Sequence, residues 1–273
     1  MTLAVGHITY ANCTPFFHHL VEAGFRGRIV PGVPAQLNSK LAAGQVDASP
    51  SSSFEYARNW QKYFLLPDLS ISAFGAVKSV LLFSPSAPED LAGTEIALTG
   101  ESATSVRLLH ILLREFAGLK QVRAAVPTAP IEELIAAGRP ALLIGDRALR
   151  AALAPPPGMQ IYDLGELWQR HTGLPFVFAL WILRRQVVAD QAAAIRELVA
   201  QLEESRRRAF ASLHRLAAAA PEREWLGESA LVDYWRAMSF NLTESHLAGL
   251  RLFYQLCVKY EFLPEMPEIR FFS

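Results

Sequence analysis

The stretch Thr172-Gly-Leu-Pro-Phe-Val-Phe-Ala-Leu-Trp-Ile-Leu-Arg-Arg185 decides how this chain is organised. Its run Phe176 to Leu183 is apolar at every position and bounded by Gly173-Leu174-Pro175 and Arg184-Arg185, the pattern of a strand buried on both faces. The chain before it is α/β in character, and the chain after it is built from helix formers. The run is therefore expected to carry the chain back from one lobe to another.

Working outward, the segments before it alternate in type. Leu3 to Thr9 reads as a first strand. Thr14-Pro15 opens a helix through Leu20, with Thr14 as N-cap, Pro15 at the first helical position and Gly24 as the stop. Next come a strand at Arg28 to Val30, a helix from Pro34 to Ala43, a short strand at Val46 to Ala48 and a helix beginning in Ser51-Ser52-Ser53. This spacing predicts βαβ units in a mostly parallel sheet. Lys78 to Phe83 is rich in β-formers and leads into the punctuated linker SPSAPEDLAG.

The pattern then restarts with a strand at Glu95 to Leu98, a periodic helix from Thr104 to Phe116, a helix at Ile131 to Ala137 and a strand at Ala141 to Ile144. Leu41 to Ala48 (LAAGQVDA) and Ile135 to Asp146 (IAAGRPALLIGD) echo each other as helix, glycine stop, strand and polar turn. Asp190 to Ala219, Glu228 to Phe240 and Thr243 to Tyr260 read as three helices. Their apolar faces need a surface, and packing them on the first lobe supplies one. The expected architecture is α/β, two-lobed and periplasmic-binding-protein-like (type II). Residues 1–83 with 184–273 form lobe one, 84–183 form lobe two, and a ligand cleft lies between them.

Composition narrows the function. The 273 residues carry 26 basic and 26 acidic side chains, so no electrostatic footprint for nucleic acid is present. Two cysteines, Cys13 and Cys257, make no disulfide framework, and the seven histidines show no metal-ligand spacing. No stretch approaches the roughly 18 apolar residues of a membrane span. The start, MTLAVGHITYAN, is too polar for a signal peptide, so a cytoplasmic location is expected. Neither a dinucleotide fingerprint nor a P-loop occurs.

The polar residues that remain cluster at helix starts, where unpaired N–H groups and the helix dipole favour anions. Three such places stand out: Asn12-Cys13-Thr14, Ser51-Ser52-Ser53 and Thr104-Ser105. Plain capping explains any one of them; three together point to a carboxylate ligand. Asn12 can both donate to and accept from a ligand oxygen. Asp146 either orients a ligand hydroxyl, acts as a base, or caps the helix from Arg147. Cys13 reads as a small buried thiol, and Arg206-Arg207-Arg208 as a solvated helix face.

In order along the chain, ITYANCTP, SPSSSFEYAR, VKSVLLFS, ESATSVRLL, IGDRAL and LWQRHTGLPFVFALW resemble the chorismate dehydratases of the futalosine route to menaquinone. The resemblance runs from about Gly6 to Leu263, and TGLPFVFA is its most specific element. It implies a two-lobed lyase without metal or organic cofactor that converts chorismate to 3-[(1-carboxyvinyl)oxy]benzoate. It further implies that Asn12 contacts the reacting region, while Ser51, Ser52, Ser79, Thr104 and Ser105 hold carboxylates or ring oxygens and Asp146 lies at the substrate. No general base stands out, and a carboxylate of the substrate can serve. His7, in a variable part of the first motif, has no assigned role. The competing readings are a non-catalytic carboxylate-binding protein of this fold, an enzyme acting on a later intermediate of the same route, and a thiamine-precursor enzyme that shares the fold.

Overall fold

The computed structural model describes residues 2–273. Among the described residues, eleven strands run in chain order as β1 (Ala4–Ile8), β2 (Arg28–Gly32), β3 (Ala48–Ser52), β4 (Tyr63–Ala73), β5 (Val80–Ser84), β6 (Glu95–Leu98), β7 (Arg123–Ala125), β8 (Ala141–Ile144), β9 (Gln160–Asp163), β10 (Phe176–Arg184) and β11 (Met238–Asn241). The helices of the first part are α1 (Thr14–Phe17), α2 (Pro34–Ala42) and α3 (Ser53–Asn59). Those of the middle are α4 (Ala103–Ile111), α5 (Ile131–Ala136), α6 (Gly145–Leu153) and α7 (Leu164–Thr172). The tail holds α8 (Val188–Ala211), α9 (Leu213–Ala219), α10 (Arg223–Leu226), α11 (Glu228–Ala237) and α12 (Glu244–Lys259).

The strands form two sheets, one in the order β11-β4-β10-β3-β1-β2 and the other β7-β6-β8-β5-β9. The run Phe176 to Leu183 is β10, buried throughout and central in the six-stranded sheet between β3 and β4. Its aromatic residues build the core on both faces. Phe176 meets Trp168 and Phe253 edge-on at 5.2 and 5.0 Å, and Trp181 meets Phe16 at 5.3 Å. Such pairs add to an already large burial term.

Sheet membership shifts both expected boundaries. Val80 to Phe83, assigned from sequence to lobe one, lie in β5 of the five-stranded sheet, and Phe176 to Leu183, assigned to lobe two, lie in β10 of the six-stranded one. The chain therefore crosses between Ala73 and Val80 and again between Thr172 and Phe176. The sheets are also mixed rather than mostly parallel. β10 pairs antiparallel with β3 and β4, and β5 with β8 and β9. The first strand after each crossing enters its new sheet from the opposite end, which reverses it. Asp163 anchors the first crossing to the start of α7: its carboxylate accepts from the backbone N–H groups of Val77 (3.1 Å), Lys78 (2.6 Å), Gly165 (2.9 Å) and Glu166 (3.1 Å).

Local departures have local causes. Ser51 and Ser52 belong to β3, and the helix starts at Ser53 with Ser52 as its N-cap, accepting from Glu55 N–H at 3.2 Å. Thr14 is the first residue of a one-turn α1 and not its cap; the preceding turn Ala11–Cys13 is 3-10. The helix expected over Glu228 to Phe240 ends at Ala237, because Met238–Asn241 pairs with β4 as an edge strand. The helical tail covers the six-stranded sheet, with α8 against α1 and α12 against β10. Gly249 of α12 lies so close to the chain that a β-carbon there would sit 2.1 Å from the Pro175 carbonyl oxygen. Among the described residues, no helix is long and apolar enough to cross a membrane.

Candidate functional site

Between the sheets lies a cavity. Its apolar wall includes Ile8, Ile71, Val80, Ile144 and Phe178, and its polar wall is Tyr10, Asn12, Ser52, Ser79, Ser102 and Ser105. Each of the three helix starts singled out in the sequence sends one residue into it: Asn12, Ser52 and Ser105. Alternation along β3 explains why Ser52 faces the cavity and Ser51 does not. Ser51 Oγ is buried without a hydrogen-bond partner among the described residues.

Thr104 is also placed away from the wall. Its Oγ1 accepts from Phe54 N–H at 3.0 Å and pairs with Ser53 Oγ at 3.2 Å, joining the start of α4 to the start of α3. Asp146, next to the lining Gly145, turns its carboxylate back to the first lobe and accepts from Ala11 N–H at 3.0 Å. It neither lines the cavity nor caps a helix at Arg147, since α6 begins at Gly145.

Asn12 is the polar group with most left to give. Its Oδ1 is buried and has no hydrogen-bond partner among the described residues. A buried amide oxygen in that state costs free energy unless something donates to it. The turn that carries it is held on both sides: Ala11 N–H by Asp146, and Ala11 carbonyl by Trp235 Nε1–H at 2.7 Å. The neighbouring residues do the same for Ser79. Gly145 N–H donates to its carbonyl at 2.8 Å, and Tyr234 Oη donates to its Oγ at 2.8 Å. Two dipeptides, Gly145-Asp146 and Tyr234-Trp235, thus each hold Ser79 with one residue and the Asn12 turn with the other.

Further bonds close the lobes over the cavity. Tyr10 Oη donates to Glu101 Oε2 across the cleft at 2.8 Å. Glu101 also meets Arg147, at 3.4 Å, which is held in turn by Glu132 at 2.8 Å. Gly145 has φ +60°, and a β-carbon there would lie 2.7 Å from the Tyr10 ring, so only glycine fits this backbone against that aromatic face.

The electrostatics are those of a neutral wall. Among the described residues, Tyr10 is the one ionisable side chain lining the cavity, and burial with the adjacent Glu101 carboxylate pushes its pKa well above the ordinary phenol value. Burial raises Asp146 to about 6, opposed by the Ala11 N–H bond. His7 is off the wall, stacked on Phe17 at 4.0 Å, and burial lowers its pKa to about 4, which keeps the ring neutral. Cys13 is fully buried and its thiol pKa is raised, which is the opposite of an activated nucleophile. Among the described residues, no cluster of three or more metal-ligating side chains occurs.

Sequence reasoning missed Ser102, the Tyr10 hydroxyl bridge and the supporting Tyr234-Trp235 pair. Ser102 carried a signal: it stands three residues before Ser105 at the start of a periodic helix, a capping position. Its Oγ accepts from Ser105 N–H at 3.1 Å.

Two sheets joined by two crossings, with a polar cavity between them, define a protein of the periplasmic-binding-protein fold class. The alkanesulfonate-binding protein of Xanthomonas axonopodis pv. citri, bound to MOPS, has this architecture. It matches with a TM-score of 0.69 at 16% identity, over 96% of this chain and 94% of that one, a likeness that shows the fold alone. Within that class the chain belongs to the menaquinone biosynthesis family, whose model matches residues 3–259. It is 38% identical over 259 residues to a chorismate dehydratase of Thermus thermophilus, covering 89% of this chain and 91% of that protein. A chorismate dehydratase of Campylobacter jejuni is 32% identical over 180 residues, 64% of each chain. The resemblance read from the sequence motifs is borne out.

Proposed function

We propose that this chain dehydrates chorismate to 3-[(1-carboxyvinyl)oxy]benzoate in the cavity between its sheets, as a carbon–oxygen lyase of menaquinone biosynthesis acting in the cytoplasm. The observation that carries the reading is the cavity wall. It offers hydroxyls and one amide, with no carboxylate, imidazole or amine among its lining residues. The family membership and the 38% identity to a chorismate dehydratase over most of both chains support the same reaction.

The chemistry suits such a wall. Breaking the ring C–H beside the enolpyruvyl ether supplies the electron pair for a new ring double bond, the neighbouring hydroxyl leaves, and the departing groups combine as water. The ring becomes aromatic, so the reaction is strongly downhill. The protein then needs to fix the substrate and stabilise shifting charge. Asn12 is assigned to the reacting region, where its unpartnered Oδ1 and its amide N–H meet substrate oxygens. Ser52, Ser79 and Ser105 hold carboxylate or ring oxygens, and Ser102 joins them. Ser51 and Thr104 support the wall from behind, and Asp146 acts on the substrate only through the Asn12 turn. With no basic side chain on the wall, the carboxylate of the enolpyruvyl arm takes the proton.

The test is incubation of the purified chain with chorismate, following ultraviolet absorbance and product mass. An aromatic product lighter by one water is expected. Tight binding of unchanged chorismate would instead establish a binding protein without chemistry.

A further inference from the structure

Beyond the cavity, on the other side of Ser102, a second and more open hollow runs between the two halves of the molecule. One side is α2 and α3, with Asn38, Glu55 and Arg58; the other is Gly100, Ser102 and Arg107 at the start of α4. Ser102 lines both this hollow and the cavity, so the two share a wall.

The charges in the hollow are not balanced. Glu55 is matched by Arg58 and also accepts from Asn59 Nδ2 at 2.9 Å. Arg107 is unmatched. Its Nε is buried with no hydrogen-bond partner, and none of the ion pairs among the described residues includes it. Two aromatic faces hold it in place, Phe54 at 5.4 Å and Phe262 at 4.9 Å from the guanidinium carbon. Stacking fixes the plane of the group and leaves its N–H donors without a protein acceptor among the described residues, the complement of a planar anion. A second unpartnered group lies on the facing helix: Asn38 is only 9% exposed, and its Oδ1 has no hydrogen-bond partner among the described residues. A stacked, unpaired arginine opposite an unsatisfied amide oxygen offers a donor to a carboxylate and an acceptor to a hydroxyl on the same molecule.

We propose that this hollow is a second ligand site, taking a hydroxylated organic carboxylate on Arg107 and Asn38 and passing it by Ser102 into the cavity. That the carboxylate is chorismate rests on the function proposed above; the anion site itself does not.

The binding claim is tested on the full chain by NMR of the arginine Nε–H signals, with the Arg107 signal assigned by its loss in Arg107→Lys. Benzoate and 3-hydroxybenzoate are the probes. The signal should shift saturably with both, more tightly with the hydroxylated one, and should still do so in Asn12→Asp, where the cavity is spoiled. An Arg107 signal that does not move at concentrations that perturb the cavity overturns the site. The kinetic arm uses Arg107→Gln with chorismate. Once circular dichroism shows the fold retained, kcat/KM should fall about tenfold with kcat within about twofold, and its dependence on salt should flatten. Unchanged kcat/KM and salt dependence, with the binding arm positive, would remove the delivery role. Absence of turnover in the wild type would refute the dehydratase reading and leave the NMR result to stand by itself.

Discussion

The two halves repeat one plan and spend it differently. Leu41 to Ala48 and Ile135 to Asp146 each run helix, left-handed glycine, strand; Gly44 and Gly138 have φ +74° and +78°. At the strand end the copies diverge. In the first, β3 ends on Ser52, which faces the cavity and offers its hydroxyl. In the second, β8 gives way to Gly145-Asp146, which offers the ligand no side chain and grips the opposite half through the Tyr10 ring and Ala11 N–H. At this point of the repeat the first copy presents a group to the ligand, and the second positions what the ligand meets. Such division of labour is open to a repeated plan because the strand fixes only where a side chain starts, and the residue type decides what it reaches.

If that division is right, substitutions on the presenting side should damage chemistry with little effect on folding. Those on the gripping side should do both, or alter pH dependence. The largest effect is expected from Asn12→Asp. It puts a negative charge beside a dianionic substrate in a poorly solvated cavity and removes an amide donor, on the scale of losing an oxyanion donor. Turnover should fall by about a hundredfold or more while the melting temperature changes little. Turnover near that of the wild type would take Asn12 out of the site.

Gly145→Ala should act on the other side of the comparison. The new methyl meets the Tyr10 ring, and alanine is strained at φ +60°. Thermal unfolding should show a loss of about 2 kcal/mol, with turnover down about tenfold because Tyr10 no longer seats. Stability lost with turnover intact would separate the grip from function. Tyr10→Phe is milder: it keeps the packing and deletes the bond to Glu101, so KM for chorismate should rise a few-fold with an unchanged melting temperature.

The smallest effect, and the one that sharpens the account most, is in pH. Burial raises Asp146 from the ordinary 3.8 to about 6, so the folded chain holds that proton more tightly than the unfolded one. A raised carboxyl pKa costs stability above pH 6, and the cost is relieved as pH falls from 6 toward 4. Asp146→Asn removes the ionisation, so calorimetry should show stability at pH 7.5 maintained or increased and its slope between pH 4 and 6 flattened. An undiminished slope would place the titration on another group.

How much of this was legible in the sequence depends on how far apart the interacting residues stand. β10 could be read because its apolar run is continuous and glycine, proline and arginine bound it. β4 could not, since Pro67-Asp68 sits in its middle and reads as a turn. The strand accommodates the pair by a bulge, with Asp68 at φ +59° and no pairing to β10 between Leu65 and Ser70. The crossings were misplaced because β5 looks like the end of one hydrophobic segment, while the carboxylate that anchors Val77 and Lys78 of the true crossing comes from Asp163, 85 residues or more beyond. In the site, helix starts with hydroxyls could be found from local pattern, and three of them do converge. That Tyr10 would bond Glu101, or Asp146 would bond Ala11, was beyond reach. Those pairs are 91 and 135 residues apart, and neither residue alone says what faces it.

The central claim is that chorismate chemistry takes place in the inter-sheet cavity on neutral donors. A crystal structure of the wild-type chain with 3-[(1-carboxyvinyl)oxy]benzoate tests it most directly. The account predicts the product between the sheets, with a polar atom of Asn12 and at least two of Ser52, Ser79, Ser102 and Ser105 within hydrogen-bond distance of its oxygens. It also predicts no protein carboxylate or imidazole within reach of the ring carbon that lost its proton. Product bound elsewhere, or an Asp, Glu or His side chain lying against that carbon, would contradict it.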